Sequence, residues 1–206
     1  LKPFWLKPLR HIHRVAVRGL VDPMADSEEA KKRKVSNAPN PDGTQTIRGL
    51  DLPQYDGTGL RIGVVCARWN SIVTNALVDG CVEALKSCSV TDITVEYVAG
   101  SYEVPCAAQV LLESKRFDGV VCIGCLVKGE TMHFEYICEA VTQGIMNLNL
   151  TYKTPVIYGI LSVLTEEQAK ARSGVGGAGH NSGKDWGITC VESCLLKRKY
   201  AALPAA

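Results

Sequence analysis

The sequence predicts a three-layer α/β/α sandwich of flavodoxin type, built on a four-stranded parallel sheet. Continuous apolar runs such as Leu60–Ala67 and Val120–Cys125 read as strands buried on both faces. Segments with helical spacing of apolar residues separate them, and strand–helix alternation is the pattern of a parallel sheet covered on both sides. Residues with chemistry to offer gather just after the strands, at the carboxyl edge where open α/β sheets hold ligands.

Taken in order, Leu60–Ala67 is the first strand. Ser71–Ser87 repeats apolar residues at helical spacing, with Ile72, Ala76, Leu77, Cys81, Ala84 and Leu85 on the predicted inner face. Asp92–Val98 is a strand and Val104–Ser114 a helix, with Pro105 tolerated in its first turn. Val120–Cys125 is the third strand. Phe134–Leu150 places Phe134, Ile137, Cys138, Val141, Ile145 and Leu148 on one helix face. Val156–Leu161 is the last strand, followed by a short helix over Thr165–Arg172 and a final one over Asp185–Tyr200.

The chain has 206 residues, enough for one domain with a real core. With 46% hydrophobic and 21% charged residues and a net charge of +2, neither disorder throughout nor a nucleic-acid surface is indicated. No apolar run approaches the roughly 20 residues that span a bilayer, so no membrane partner is expected. Nine cysteines, an odd number without framework spacing, argue against a disulfide scaffold. Cys66, Cys106, Cys122 and Cys125 lie in apolar contexts and read as small core hydrophobes. Cys122 and Cys125 form a C-x-x-C, but no second pair supplies the remaining zinc ligands, so no metal is expected. Cys190 and Cys194 share one helix face and take the same reading. Gly174–Gly179 matches G-x-G-x-x-G, yet follows a helix rather than a strand and lacks the dinucleotide-binding context.

Residues 1–46 are expected to be a disordered or targeting arm, and residues 47–206 the folded domain. Residues 1–21 hold five Lys/Arg, two His and no acid, a charge pattern like that of an organellar transit peptide, though without serine. Met24 resembles a translation start, and residues 1–23 are therefore a candidate targeting segment on an otherwise cytoplasmic protein. The basic run Lys31–Lys34 reads as part of a solvated tail.

The strand ends carry Arg68-Trp69-Asn70, then Gly100-Ser101-Tyr102-Glu103, then Lys128 through His133, then Tyr158-Gly159. Taken singly, Trp69 and Tyr158 suit a core, and Glu103 suits the first turn of a helix. Taken together they describe a site: an indole that can stack on a planar heterocycle, a helix start that favours anions, and an imidazole placed for proton exchange. Arg172, before the glycine-rich loop, is a candidate phosphate ligand.

These segments, with Val104-Pro105, Gly124 through His133, Pro155–Gly159 and His180–Gly187, resemble the 6,7-dimethyl-8-ribityllumazine synthase family over roughly residues 56–200. The runs Glu130–Tyr136 and His180-Asn181 are most similar to its fungal branch. The resemblance implies condensation of 5-amino-6-(D-ribitylamino)uracil with 3,4-dihydroxy-2-butanone 4-phosphate, the penultimate step of riboflavin biosynthesis, without metal or organic cofactor. It assigns ring stacking to Trp69, with Asn70 and Lys184 also among the residues binding the pyrimidine substrate. Ser101, Tyr102 and Glu103 would hold the pyrimidine and its ribityl chain, and the backbone of Cys125, Leu126 and Val127 would line the ring. Glu130 and Thr131 would seat the phosphate, Arg172 would clamp it, and His133 would shuttle protons. Tyr158 would close the pocket from a neighbouring subunit, which implies a homopentamer with shared sites. The Gly-rich stretch from Arg172 to Trp186 is long, and would obstruct the contacts that build 60-subunit shells. Thr46–Leu50 could join a neighbour's sheet.

Three other readings differ in their expectations. The related archaeal-type riboflavin synthase would dismutate the lumazine instead. A flavodoxin-like flavin- or nucleotide-binding module without catalysis would leave Glu130–His133 and Arg172 unused. A silent shell-forming scaffold would not need the site residues.

Overall fold

A computed structural model describes residues 52–177 and 179–201. The expectations for residues 1–46 and for Thr46–Leu50 lie outside the described residues. Four strands, β1 (Arg61–Ala67), β2 (Asp92–Val98), β3 (Gly119–Val127) and β4 (Val156–Val163), form one sheet in the order β2-β1-β3-β4. Every pairing is parallel, with Val64 opposite Val95 on one side and Val121 on the other, and Cys122 opposite Tyr158. Five α-helices connect or follow them: α1 (Ser71–Ser87), α2 (Val104–Glu113), α3 (His133–Tyr152), α4 (Glu166–Ser173) and α5 (Ser182–Ala201).

β1 and β3 are apolar at nearly every position because both sheet faces are covered. One face carries Ile62, Val64, Val121 and Ile123 against Leu77 and Cys81 of α1, Ala169 of α4, and Cys190 and Val191 of α5. The other carries Val65, Val120 and Cys122 against Ala108 of α2 and Val141 and Ile145 of α3. This is the expected three-layer sandwich. Helices α1 and α5 cross closely, since a Cβ on Gly187 would lie 2.7 Å from the Cys81 carbonyl oxygen.

Several boundaries differ from expectation. β3 runs on to Val127 and β4 to Val163, because Leu126 and Val127 pair with Ser162 and Val163. α5 begins at Ser182 rather than Asp185. Asn181 makes this start: its Oδ1 accepts from the Gly183 N–H at 2.9 Å, and its Nδ2 donates to the Ala76 carbonyl at 2.7 Å. A 3-10 turn, Ser101–Glu103, precedes α2. Ile72, placed on the inner face of α1, is exposed; Val73, Leu77, Val78 and Cys81 form the face that packs. Cys106 is likewise exposed rather than a core residue.

The other cysteines behave as small hydrophobes. A spacing of three on a strand sends side chains to opposite faces, so Cys122 and Cys125 lie in different layers of the core. They cannot form a redox pair. Burial pushes their thiols up to about 12 and about 11, which keeps them protonated and unreactive.

Candidate active site

Strand order reverses at β1, which has β2 on one side and β3 on the other. Loops leaving the carboxyl ends of β1 and β3 therefore diverge and leave a crevice. A cavity of about 610 Å³ occupies it.

The first wall comes from the β1–α1 turn. The backbone N–H groups of Arg68 and Trp69 donate to Val98 and Ala99 at 2.8 and 3.2 Å, extending the β1–β2 ladder past the strands. Asn70 then turns the chain with φ 60° and ψ 43°, a left-handed conformation that asparagine tolerates better than most residues. Its amide Nδ2 donates to the Cys125 carbonyl at 2.9 Å, tying this turn to β3. Trp69 is left 72% exposed at the cavity edge with its ring free to stack.

The second wall is the 3-10 turn after β2. The Glu103 carboxylate accepts from the Gly100 N–H at 2.9 Å and so closes its own turn. Ser101 is buried, and its Oγ has no hydrogen-bond partner among the described residues. A Cβ at Gly124 would fall 2.5 Å from that oxygen, so only glycine lets the turn sit on β3 here. Tyr102 stands 59% exposed beside it.

The floor and third wall come from β3 and the start of α3. Cys125, Leu126 and Val127 pass beneath, and Gly129, Thr131 and His133 close the far side. Thr131 Oγ1 accepts from the His133 N–H at 3.4 Å at this helix start. The Lys128 ammonium and the Glu135 carboxylate form an ion pair across the turn, with the ammonium 5.6 Å from the Phe134 ring centroid. Hydrogen bonding to Lys128 holds the Glu135 carboxyl below its ordinary range.

Of the residues the sequence singled out, Trp69, Asn70, Ser101, Tyr102, Glu103, Cys125, Leu126, Val127, Thr131 and His133 surround this one volume. Glu130 lies on the same turn but does not line it. Tyr158, Arg172 and Lys184 stand elsewhere. Tyr158, 38% exposed on the edge strand β4, is 3.0 Å from Thr142 Oγ1. Arg172 lies on α4, and Lys184 is paired with Glu83 of α1 at 3.0 Å. Among the described residues, those lining the cavity run from Trp69 to Ile137, and β4, α4 and α5 contribute nothing to it. Phe134 and Ile137 line it too. Their helical spacing marked them only as packing residues, and their place in the first turns after His133 was the available signal. Among the described residues, no three His, Cys, Asp or Glu side chains gather as a metal site.

Residues 59–198 match the family of 6,7-dimethyl-8-ribityllumazine synthase. The chain belongs to the lumazine synthase family. It is 38% identical over 193 residues to the 6,7-dimethyl-8-ribityllumazine synthase of Pyricularia oryzae, covering 75% of this chain and 96% of that one. Against the Schizosaccharomyces pombe protein of the same name it is 44% identical over 152 residues, covering 72% and 95%. The Lactiplantibacillus plantarum lumazine synthase is 39% identical over 147 residues, covering 70% and 91%. Lumazine synthase relatives favour neither the riboflavin synthase nor the non-catalytic readings of the same fold.

Proposed function

We propose that this chain condenses 5-amino-6-(D-ribitylamino)uracil with 3,4-dihydroxy-2-butanone 4-phosphate, releasing phosphate and water and forming 6,7-dimethyl-8-ribityllumazine. The observation that carries the reading is the convergence of Trp69, Glu103 and His133 on one cavity in a member of this family. The indole stacks on the pyrimidine, whose amide groups meet the backbone of Cys125–Val127. The Ser101 hydroxyl and the Glu103 carboxylate take hydroxyl donors from the ribityl chain. The turn Glu130–His133 seats the phosphate on amide donors at the start of α3.

His133 then moves protons while the substrate amine adds to the ketone and a carbinolamine loses water to give the Schiff base. It serves again as the phosphate leaves and the second ring closes. Most of the acceleration comes from holding two substrates in register, an effect that supplies about 7–11 kcal/mol in well-oriented reactions.

Tyr158, Arg172 and Lys184 complete the cavity of an adjacent copy in a cytoplasmic homopentamer, with Arg172 clamping the phosphate. Their absence from the chain's own cavity supports this arrangement. Nine free thiols fit a reducing compartment. Among the described residues, no helix is long and apolar enough to cross a membrane. The test is to mix purified protein with both substrates and follow the absorbance and fluorescence of the lumazine. His133→Ala serves as control. Failure of the wild type to form it overturns the reading.

A further inference from the structure

The turn that would seat a phosphate also carries a negative charge of its own. Glu135 occupies the first turn of α3, two residues beyond His133. Glu103 lines the cavity and Glu130 lies between its lining residues Gly129 and Thr131, whereas among the described residues no Lys or Arg lines it. Lys128 is the cation nearest in sequence to the seat, and it is spent on Glu135. One Glu135 oxygen takes that ammonium, while the other, Oε2, has no hydrogen-bond partner among the described residues, on a side chain that is 39% exposed. A carboxylate at a helix start would ordinarily be explained by the helix dipole alone. That explanation leaves the ion pair without a role and predicts no benefit from removing the charge.

We propose that Lys128 masks the Glu135 carboxylate so that a phosphate monoester can enter the turn beside it. Neither residue touches the ligand. The pair sets the local potential, and its carboxylate is neutralised within the chain before any neighbour supplies a cation. The proposal rests on the assignment of Glu130–His133 as the phosphate seat.

The experiment is a titration of the full chain with inorganic phosphate in phosphate-free buffer, by calorimetry, for five proteins: wild type, Lys128→Met, Lys128→Arg, Glu135→Gln and the Lys128→Met/Glu135→Gln pair. Unmasking one charge at close range should weaken phosphate binding about tenfold in Lys128→Met at low salt. The loss should shrink as salt screens it. Glu135→Gln should bind phosphate more tightly than wild type, Lys128→Arg should match it, and the double variant should recover most of the loss. A turn that is merely pinned by the pair would leave the double variant as weak as Lys128→Met, and that result overturns the proposal. So does a Glu135→Gln that binds more weakly than wild type, or a wild type without saturable phosphate binding. Lumazine formation by the wild type is measured alongside. Product with a flat variant series sinks the masking and leaves the activity standing. The expected series without product does the reverse.

Discussion

Asn70 shows how one residue can serve backbone, packing and site together. Its left-handed conformation and its bond to the Cys125 carbonyl set where Trp69 leaves β1. Asn70→Ala should lose both the conformational tolerance and the amide, at a cost of about 1–3 kcal/mol. Asn70→Gly should recover part of the stability but none of the tether. Thermal melting separates the two variants, while the KM for the pyrimidine should rise in both. His133 is a different kind of residue. Among the described residues no hydrogen bond holds its ring, and the part proposed for it is proton transfer. His133→Ala should therefore slow turnover within the usual range of about 10²–10⁴-fold for a positioned acid or base, with positioning left to sustain the remainder. Single-turnover measurement of lumazine formation would show it. That Trp69, Glu103 and His133 gather at one cavity was readable from residue type and place after a strand. The tether through Asn70 was not, because a side-chain bond to a carbonyl 55 residues away leaves no local mark.

At the scale of elements, apolar continuity and helical spacing located all four strands and all five helices. The errors fall at ends, where burial gives way and a single hydrogen bond decides. β3 outlasts its fully buried stretch because β4 still pairs with it, and α5 starts early because Asn181 caps it. The opposite end of the sheet is tied by Arg61 and Asp118, joined side chain to side chain at 3.2 Å, with the Arg61 N–H donating to the Asp118 carboxylate at 2.9 Å and the Asp118 N–H to the Arg61 carbonyl at 2.8 Å. Partial burial pushes the Asp118 carboxyl up, but the hydrogen bonds and charge of Arg61, with Arg198 beyond, outweigh it and hold the carboxyl below its ordinary range. A carboxyl lowered in the folded state stabilises above its unfolded value, near 3.9, and loses that contribution as pH falls through the folded one. Asp118→Asn should thus cost about 1 kcal/mol at neutral pH, given the partial exposure of the pair. The wild-type advantage should disappear as pH drops below about 4. Urea midpoints measured from pH 7 down to 3 would test this, with no change in substrate affinity expected so far from the cavity.

The molecule as a whole places its cavity where the sheet order reverses, and strand-end chemistry alone was enough to point there. Residue type could not show that Tyr158, Arg172 and Lys184 stand away from the ten that line the cavity, since the loop that bears a residue and the site it serves need not belong to the same copy. A pentamer is the assembly expected, and light scattering should return about five times the 22.3 kDa chain mass. A megadalton particle would contradict it. The division of the chain at Ile137 also has a genetic reading. No described lining residue lies beyond that point, whereas Tyr158, Arg172 and Lys184 all follow it. If a site is built from the front of one subunit and the back of the next, lesions in the two halves are complementable. His133→Ala and Arg172→Ala proteins, each crippled alone, should regain activity when unfolded and reassembled together, since some junctions then pair two undamaged halves. Two alleles defective in the same half should never rescue each other.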